Sequence, residues 1–249
     1  MKDHEQTANG FLLVNKPSNM TSHDVVAIAR RILKIKKIGH AGTLDPMATG
    51  LLILGVGKAT KKLGGIIGLP KTYTAEITLG ATSTTDDKEG DIEAFTTPAT
   101  AGVHDVDSRL GGNGVFIEIP KTIPNLDEIE TCLNNFIGEQ QQTPPQFSAI
   151  KINGQRAYKK ARQGELVELK PRTITIYDIK LISYQYPLVK IETSVSSGTY
   201  IRSLARDIGQ ILNTGAYLSK LERTSIGDFK LSNAVELEAI NESKLFQIT

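Results

Sequence analysis

The chain has 249 residues, 39% of them hydrophobic and 22% charged, which is the composition of an ordinary globular protein with a sizeable core. No apolar run reaches the ~20 residues that span a bilayer, and the polar N-terminus lacks the apolar stretch of a signal peptide. A single cysteine, Cys132, excludes an intrachain disulfide and a cysteine-cluster metal site. We therefore expect a cytoplasmic protein of one or two domains.

The charge is unevenly distributed, although the formal net charge is only +2. Residues 1–73 carry 11 Lys and Arg against 4 Asp and Glu, residues 74–145 carry 3 against 13, and residues 146–249 carry 15 against 10. Such a chain can present one positive face, which suits a polyanion such as nucleic acid. The alternative is solvated helix surface at the basic cluster, which comprises Arg30, Arg31, Lys34, Lys36 and Lys37.

The first third of the sequence alternates predicted strands and helices. Residues 10–14 predict a short strand, and Thr21 or Ser22 offers an N-cap for a helix that continues to about residue 34. A buried strand is predicted over 51–56 and a short helix over 58–67. The alternation of apolar residues over 71–79 predicts another strand. The predicted buried side of the first helix consists of Val25, Val26, Ile28, Ala29, Ile32 and Leu33.

The remainder contains several adjacent strands. Residues 96 to about 118 lack a clear period and are predicted to form a surface insertion. The later predictions are helices over 126–136, 155–163, 200–212 and 234–240, and strands over 147–152, 174–182 and 188–195. Because strands follow one another without an intervening helix, we expect an α+β fold with a central mixed, mostly antiparallel sheet flanked by helices.

The segment 39–50 places one carboxylate, Asp45, in a stretch whose Gly, Thr and Pro residues exclude a helix. Loops anchored on buried strands often carry catalytic groups, because the scaffold fixes the group while the loop leaves it accessible. Aspartate before proline is also an ordinary turn former, so the pattern alone leaves both interpretations open.

Two other kinds of site are excluded by spacing. Residues 55–60 suggest a phosphate-binding loop, but that motif requires glycine where Leu52 stands and Ser or Thr where Ala59 stands. The four histidines, at positions 4, 23, 40 and 104, have no metal-ligand spacing, so we expect no metal site.

Five segments, in order over roughly residues 10–230, resemble the motifs of the TruB family of tRNA pseudouridine synthases. They are Asn15–Ser22, Gly39–Gly50, Lys71–Tyr73 with Gly80 and Asp87–Gly90, Pro144–Lys151 with Gly154, Tyr158, Ala161 and Arg162, and Ser196–Arg202. The resemblance implies a single pseudouridine synthase catalytic domain over 1–249, with the insertion at about 96–118. Most bacterial members continue into a C-terminal PUA or PUA-like domain. No PUA domain is recognised in this sequence.

The family's chemistry implies a role for each matching residue. Asp45 is the nucleophile, Arg202 the arginine that pairs with it, and Tyr73 the aromatic that stacks on uracil and holds or accepts a proton. Whether Asp45 attacks C6 of the base or C1′ of the ribose stays open, because both routes use the same carboxylate. The family usually has a second basic residue where Glu222 stands. The residues implied to bind substrate are His40, Tyr200, Leu221, Lys16, Asp87 and Lys151.

The implied activity is isomerisation of the T-loop uridine of tRNA, position 55, without cofactor or metal. We expect the tRNA T stem-loop as partner, a monomer and no membrane association. Two alternatives are a synthase acting on another stem-loop RNA and a non-catalytic RNA-binding or tRNA-folding protein. Asp45, Tyr73 and Arg202 together argue against the second, because a pure binder does not require all three.

Overall fold

The computed structural model describes residues 8–96, 109–110, 116–117, 123–148, 151–152, 155–156 and 169–248. The chain divides into two compact units. The first contains Met1–Thr74 and Leu221–Thr249, and the second contains Ala75–Lys220. The expected single domain over 1–249 stays a prediction.

The described secondary structure is rich in strands. The strands are β1 (Gly10–Lys16), β2 (Ile38–Ala41), β3 (Thr49–Val56), β4 (Lys71–Leu79), β5 (Ala81–Ser83), β6 (Ile92–Ala94), β7 (Arg109–Leu110), β8 (Phe116–Ile117), β9 (Gly138–Gln142), β10 (Lys151–Ile152), β11 (Gln155–Arg156), β12 (Arg172–Gln185), β13 (Leu188–Val195), β14 (Ala216–Ile226) and β15 (Phe229–Lys230). The α-helices are α1 (Ser22–Leu33), α2 (Leu63–Ile67), α3 (Leu126–Asn134) and α4 (Ile201–Ile211). Short 3-10 helices span Gly57–Lys62, Leu231–Asn233, Leu237–Ala239 and Glu242–Lys244.

The antiparallel pair β1–β3 forms the centre of the first unit, with a register that runs from Gly10 opposite Val56 to Lys16 opposite Gly50. Because side chains alternate along a strand, these two strands supply both layers of core. One cluster joins β1 and β3 to α1, and the other joins them to α2. Helix α1 begins at the N-cap Thr21, which forms a capping box with Asp24.

The second edge of β3 is shared by two strands, and this arrangement positions the loop that carries Asp45. Strand β2 pairs antiparallel with residues 53–56. Strand β14 pairs parallel at the other end, where Arg223 lies opposite Gly50. Residues 42–48 connect β2 to β3 at this change of partner.

The second unit is built on the hairpin of β12 and β13, and its strands follow the order β4–β13–β12–β9. Strand β9 pairs antiparallel with the first residues of β12, from Arg172 opposite Gln142 to Ile176 opposite Gly138. Helix α3 contacts β12 and α4. The core residues of these elements include Ile129, Leu133, Ile174, Ile176, Val189, Ile191, Leu204 and Ile208.

The α+β class with a mixed, mostly antiparallel sheet is confirmed, since β3–β14 is parallel while β1–β3, β2–β3, β9–β12 and β12–β13 are antiparallel. Strands β2, β9 and β14 were not predicted. Strand β14 is the largest omission, because its polar residues give no simple alternation.

Several predicted elements were wrong in detail. Residues 155–156 form a strand, and the rest of the helix predicted over 155–163 lies outside the described residues. The tail near 234–240 contains 3-10 turns where a helix was predicted. Residues 147–148 are not strand. In α1, Ile32 is 43% exposed. The predicted insertion at 96–118 lies outside the described residues, apart from residue 96 and the paired strands β7 and β8.

Candidate active site

The loop of residues 42–48, here named the Asp45 loop, holds one carboxylate between two apolar anchors. Leu44 and Met47 are each 3% exposed, whereas Asp45 between them is half-buried. The Ala48 N–H donates to the Asp45 carbonyl at 3.1 Å and closes a turn. At the start of the loop, Gly42 has φ 81°, which glycine adopts without steric cost.

Two serines bind the backbone of the Asp45 loop. The Ser22 hydroxyl accepts from the Leu44 N–H at 2.9 Å and lies 3.3 Å from the Leu44 carbonyl oxygen. The Ser18 hydroxyl donates to the Met47 carbonyl at 3.3 Å. The backbone on both sides of Asp45 is therefore fixed from the N-terminal segment.

Lys16 also binds the backbone of the Asp45 loop. Its side chain is fully buried, and Nζ donates to the carbonyls of Pro17 at 2.8 Å, Met20 at 2.6 Å and Pro46 at 3.2 Å. Since Pro46 directly follows Asp45, the buried ammonium fixes the loop beside the carboxylate. The predicted contact of Lys16 with substrate stays a prediction.

Arg223 closes the gap where β3 changes partner. Its side chain is 1% exposed; Nε donates to the Leu51 carbonyl at 2.8 Å and Nη2 to the Gly42 carbonyl at 3.1 Å. These bonds join Leu51 of β3 to Gly42, the first residue of the Asp45 loop.

A second buried cation, Lys71, lies near Arg223. Its Nζ donates to the carbonyls of Ile67 at 2.6 Å and Leu69 at 2.7 Å, at the end of α2. Burial, and secondarily the positive charge of Arg223, lowers the pKa of Lys71 to about 8. Lys71 is therefore a titratable group close to physiological pH.

His40 lies on β2, and its ring packs edge-to-face with His23 at a centroid distance of 5.6 Å. Burial lowers the pKa of His40, and the positive charges of His23 and Arg223 lower it further. Its Nδ1 is buried and has no hydrogen-bond partner within the described part of the chain. The neutral imidazole this favours suits stacking on a base better than pairing with a phosphate.

Tyr73 and Leu221 lie on β4 and β14, with exposures of 7% and 8%. The Thr224 hydroxyl donates to the Thr72 carbonyl at 3.3 Å, and the Thr49 hydroxyl to the Leu221 carbonyl at 3.4 Å. Both predicted pocket residues are therefore held in the core of the first unit.

In the second unit, Arg202 and Asp87 form a buried ion pair, with 3.5 Å between Nη1 and Oδ2 and at most 6% side-chain exposure. Arg202 also donates to the Thr85 carbonyl at 3.2 Å and the Phe147 carbonyl at 3.1 Å. Asp87 accepts from the Thr85 hydroxyl at 2.6 Å and the Glu89 N–H at 3.0 Å. Asp87 is therefore a partner of Arg202, which the sequence did not predict.

Tyr200 is the N-cap residue of α4. Its N–H donates to Gln142 Oε1 at 2.8 Å, and its carbonyl accepts from Gln142 Nε2 at 3.0 Å. The start of the helix that carries Arg202 is thus bound to the end of β9. Lys151 lies on β10, and its predicted role in substrate binding remains a prediction.

The structure brings the predicted residues together in two groups. In the first unit, Lys16 binds the loop that carries Asp45. The same unit also contains His40, Tyr73 and Leu221. In the second unit, Asp87 forms an ion pair with Arg202. The sequence analysis did not predict four supporting residues, which are Ser18, Ser22, Gln142 and Arg223. The first three lie inside or beside matched motifs, but the backbone groups that they bind are distant in the sequence.

Within the described residues no group of three or more His, Cys, Asp or Glu side chains could hold a metal ion. Over the same residues, no helix is both long enough and apolar enough to cross a membrane.

Comparison with known proteins covers nearly the whole chain. The TruB family pseudouridylate synthase N-terminal domain matches residues 30–113 and 111–201, and the tRNA pseudouridylate synthase B C-terminal domain matches residues 202–248. The tRNA pseudouridine synthase B of Corynebacterium diphtheriae is 44% identical over 245 residues, covering 97% of this chain and 75% of the relative. That of Prochlorococcus marinus is 44% identical over 238 residues, covering 95% and 68%.

Solved structures give the same result for the fold. The chain matches a Cbf5-Nop10-Gar1 complex with TM-score 0.64 and 30% identity, and an H/ACA RNP bound to a substrate RNA containing 2'-deoxyuridine with TM-score 0.61 and 28% identity. Each match covers 92% of this chain but only 52% and 51% of the solved chain, so this protein spans about half their length.

These matches, together with the acid-bearing loop on a mixed sheet, define the class as pseudouridylate synthases. Within that class, the chain belongs to the TruB family.

Proposed function

We propose that this protein is a tRNA pseudouridine synthase that converts the T-loop uridine at position 55, with Asp45 as nucleophile. The Asp45 loop carries the proposal: its carboxylate is partly accessible, while Lys16, Ser18 and Ser22 fix the backbone around it. Pre-organisation of this kind is what covalent catalysis by a weak nucleophile requires.

The proposed reaction is a balanced isomerisation. The Asp45 carboxylate adds to C6 of the uracil or to C1′ of the ribose, and the N1–C1′ bond breaks. The base turns, C5 bonds to C1′, the carboxylate leaves, and the C5 proton is lost while N1 gains one. Tyr73 stacks on the ring and holds or accepts a proton. Arg202 pairs with the Asp45 carboxylate and keeps it ionised.

The other predicted residues form the substrate site. Stacking by His40 fills the place of the extruded base, whose unstacking costs about a few kcal/mol. Leu221 provides an apolar wall and Tyr200 a second aromatic, and Lys16, Asp87 and Lys151 complete the site. We expect a cytoplasmic monomer that binds the T stem-loop.

The decisive experiment incubates purified protein with unmodified tRNA transcript and maps pseudouridine by position. Asp45→Asn should abolish turnover and leave tRNA affinity nearly unchanged, because the amide is a far poorer nucleophile of similar size. Asp228→Asn, which changes an exposed carboxylate in the turn after β14, is the matched control and should turn over normally.

Three other outcomes of this experiment would contradict the proposal. Pseudouridine formed by Asp45→Asn near the normal rate would refute the nucleophile. Modification at another position or in another stem-loop RNA would indicate a redirected synthase. Tight tRNA binding without modification would indicate the non-catalytic RNA-binding protein.

A further inference from the structure

Helix α4 carries a second arginine, one turn after Arg202, whose contacts parallel those of Arg202. Arg206 Nη1 lies 2.8 Å from Asp86 Oδ2, while Arg202 Nη1 lies 3.5 Å from Asp87 Oδ2. Two arginines at positions i and i+4 of one helix therefore bind two consecutive aspartates. We name the segment of residues 83–90 that bears these aspartates the aspartate loop.

Both arginines also bind a second segment, residues 143–147. Arg206 Nη2 donates to the Thr143 carbonyl at 3.0 Å, and the Ser203 hydroxyl donates to the same oxygen at 2.8 Å. Arg202 Nη2 donates to the Phe147 carbonyl at 3.1 Å. One face of α4 therefore joins the aspartate loop to the segment after β9 at two successive turns.

The backbone of the aspartate loop is shaped so that both carboxylates reach α4. Asp86 has φ 61°, a left-handed conformation that is unusual for a residue with a side chain. Its carbonyl accepts from the Leu218 N–H at 3.0 Å, and the Lys88 N–H donates to the Leu218 carbonyl at 3.1 Å. The loop is thereby attached to β14 on either side of Asp87, and the Asp86 side chain is turned toward Arg206.

Charge balance makes the Arg206 contacts important for Arg202. Asp86, Asp87 and Asp207 share the guanidinium groups of Arg202 and Arg206, and Asp207 Oδ1 accepts from Arg206 Nη2 at 2.8 Å. Burial raises the pKa of Asp86, opposed by the positive charges of Arg206 and Arg202. Without Arg206, Asp86 would gain a proton or compete with Asp87 for Arg202.

We propose that Arg206 is a positioning residue, which holds Arg202 in its reactive place by binding Asp86 and the Thr143 carbonyl. Arg206 touches neither substrate nor the reacting atoms in this role, which rests on the proposed function. The contact of Arg206 with Asp207 cannot play this positioning role, because the two residues are neighbours on one helix and their contact does not link α4 to a loop.

The test compares Arg206→Met, Asp86→Asn and the double variant in the tRNA assay. Misplacement of Arg202 should lower kcat by about tenfold to a hundredfold with KM within about twofold. Because both side chains act through one contact, the double variant should be no worse than Arg206→Met. Asp178→Asn, which breaks an exposed ion pair with Lys180 in the same unit, is the control and should keep normal kcat.

A pH profile distinguishes positioning from general weakening of the fold. The charged groups facing Asp86 are Arg206, Arg202 and Asp207. Because only ionised Asp86 pairs with Arg206, wild-type kcat should fall on the acid side at a higher pH than an ordinary aspartate would give. The kcat of Asp86→Asn should be low at every pH and should not show this acid-side fall.

Hydrogen exchange of the free protein tests the contact without any substrate. Arg206→Met should speed amide exchange in residues 84–90 and leave α1 unchanged. Normal kcat in Arg206→Met, additive losses in the double variant, or unchanged exchange in the aspartate loop would each overturn the proposal. Wild-type protein that forms no pseudouridine, while exchange responds as expected, would instead refute the proposed function and with it the catalytic purpose of the contact.

Discussion

The two units each hold a functional loop, but they do so with different chemistry. In the first unit, Lys16, Ser18 and Ser22 bind the backbone of the Asp45 loop. In the second unit, Arg202 and Arg206 bind carboxylate side chains of the aspartate loop. Backbone carbonyls cannot be protonated in the working pH range, whereas carboxylates can. The acceptors that fix the Asp45 loop therefore do not titrate, whereas the carboxylates around Arg202 can.

This difference also separates the consequences of mutation. A buried carbonyl that loses its donor costs about 1–3 kcal/mol of stability. A buried carboxylate that loses its arginine leaves an uncompensated charge, or takes up a proton and becomes neutral. We expect changes in both groups to act on folding and turnover together, and changes in the second group to alter the pH dependence of turnover as well.

Among changes that leave Asp45 intact, the largest effect should follow Arg202→Lys. An ammonium is a point charge and cannot reproduce the contacts that two guanidinium nitrogens make with Asp87, Thr85 and Phe147. Loss of these fixed contacts should lower kcat by about a hundredfold to a thousandfold. Arg172→Lys, at an exposed position on β12, is the matched control. Wild-type turnover in Arg202→Lys would show that the guanidinium geometry is not needed.

Lys16→Met should lower the free energy of unfolding by about 2–4 kcal/mol, because three carbonyls lose a buried donor. Urea denaturation measures the free energy of unfolding. The kcat of Lys16→Met should also be lower than that of wild type, with the same pH profile. Lys61→Met removes an exposed lysine of the same unit and should change stability by less than about 0.5 kcal/mol. Equal stability of Lys16→Met and wild type would mean that the loop does not depend on the ammonium.

The same contrast explains how far the sequence could be interpreted. Strands β1, β3 and β4 and helix α1 were predicted because their apolar periods are local. Catalytic roles for Asp45, Tyr73 and Arg202 were predicted from the motifs they occupy, and these roles stay predictions. The aspartate loop's contact with Arg206 was not predicted, because it joins residues 120 positions apart.

Arg223 shows the same limit more sharply. Nothing in the segment 221–224 indicates that its arginine lies buried beneath a gap between strands and binds a carbonyl 181 residues away. Strand β14 itself lacks an alternating pattern, so the element that carries Arg223 was also missed. Motifs indicate the candidate catalytic residues, whereas the residues that hold them in place are found only from the three-dimensional register.

A salt titration of tRNA affinity can test the basic cluster, which lies in the first unit. Lys36 and Lys37 are exposed, and neither forms an ion pair with any described residue. Lys36→Glu with Lys37→Glu should weaken tRNA binding by about tenfold and flatten the dependence of affinity on salt, with little change in kcat. Lys180→Glu with Lys190→Glu, exposed on β12 and β13, is the control. An unchanged salt slope would mean that these lysines are only solvated surface.

The smallest expected effect concerns Lys71, a group of the first unit whose pKa is lowered to about 8. Its pKa of about 8, against an ordinary 10.5, means that the unfolded chain holds the proton more tightly. Between pH 8 and 10.5 the unfolded state therefore binds more protons, and stability contributed by this residue must rise with pH.

Urea denaturation of wild type and Lys71→Met across that range isolates this contribution, since all other groups titrate alike in both proteins. Wild type should gain on the order of 1 kcal/mol relative to the variant as pH rises. The neutral amine still donates to the Ile67 and Leu69 carbonyls, so the bonds at the end of α2 survive deprotonation. Lys58→Met, at an exposed position, should show no such trend. A constant difference between wild type and Lys71→Met would mean that Lys71 keeps its ordinary pKa.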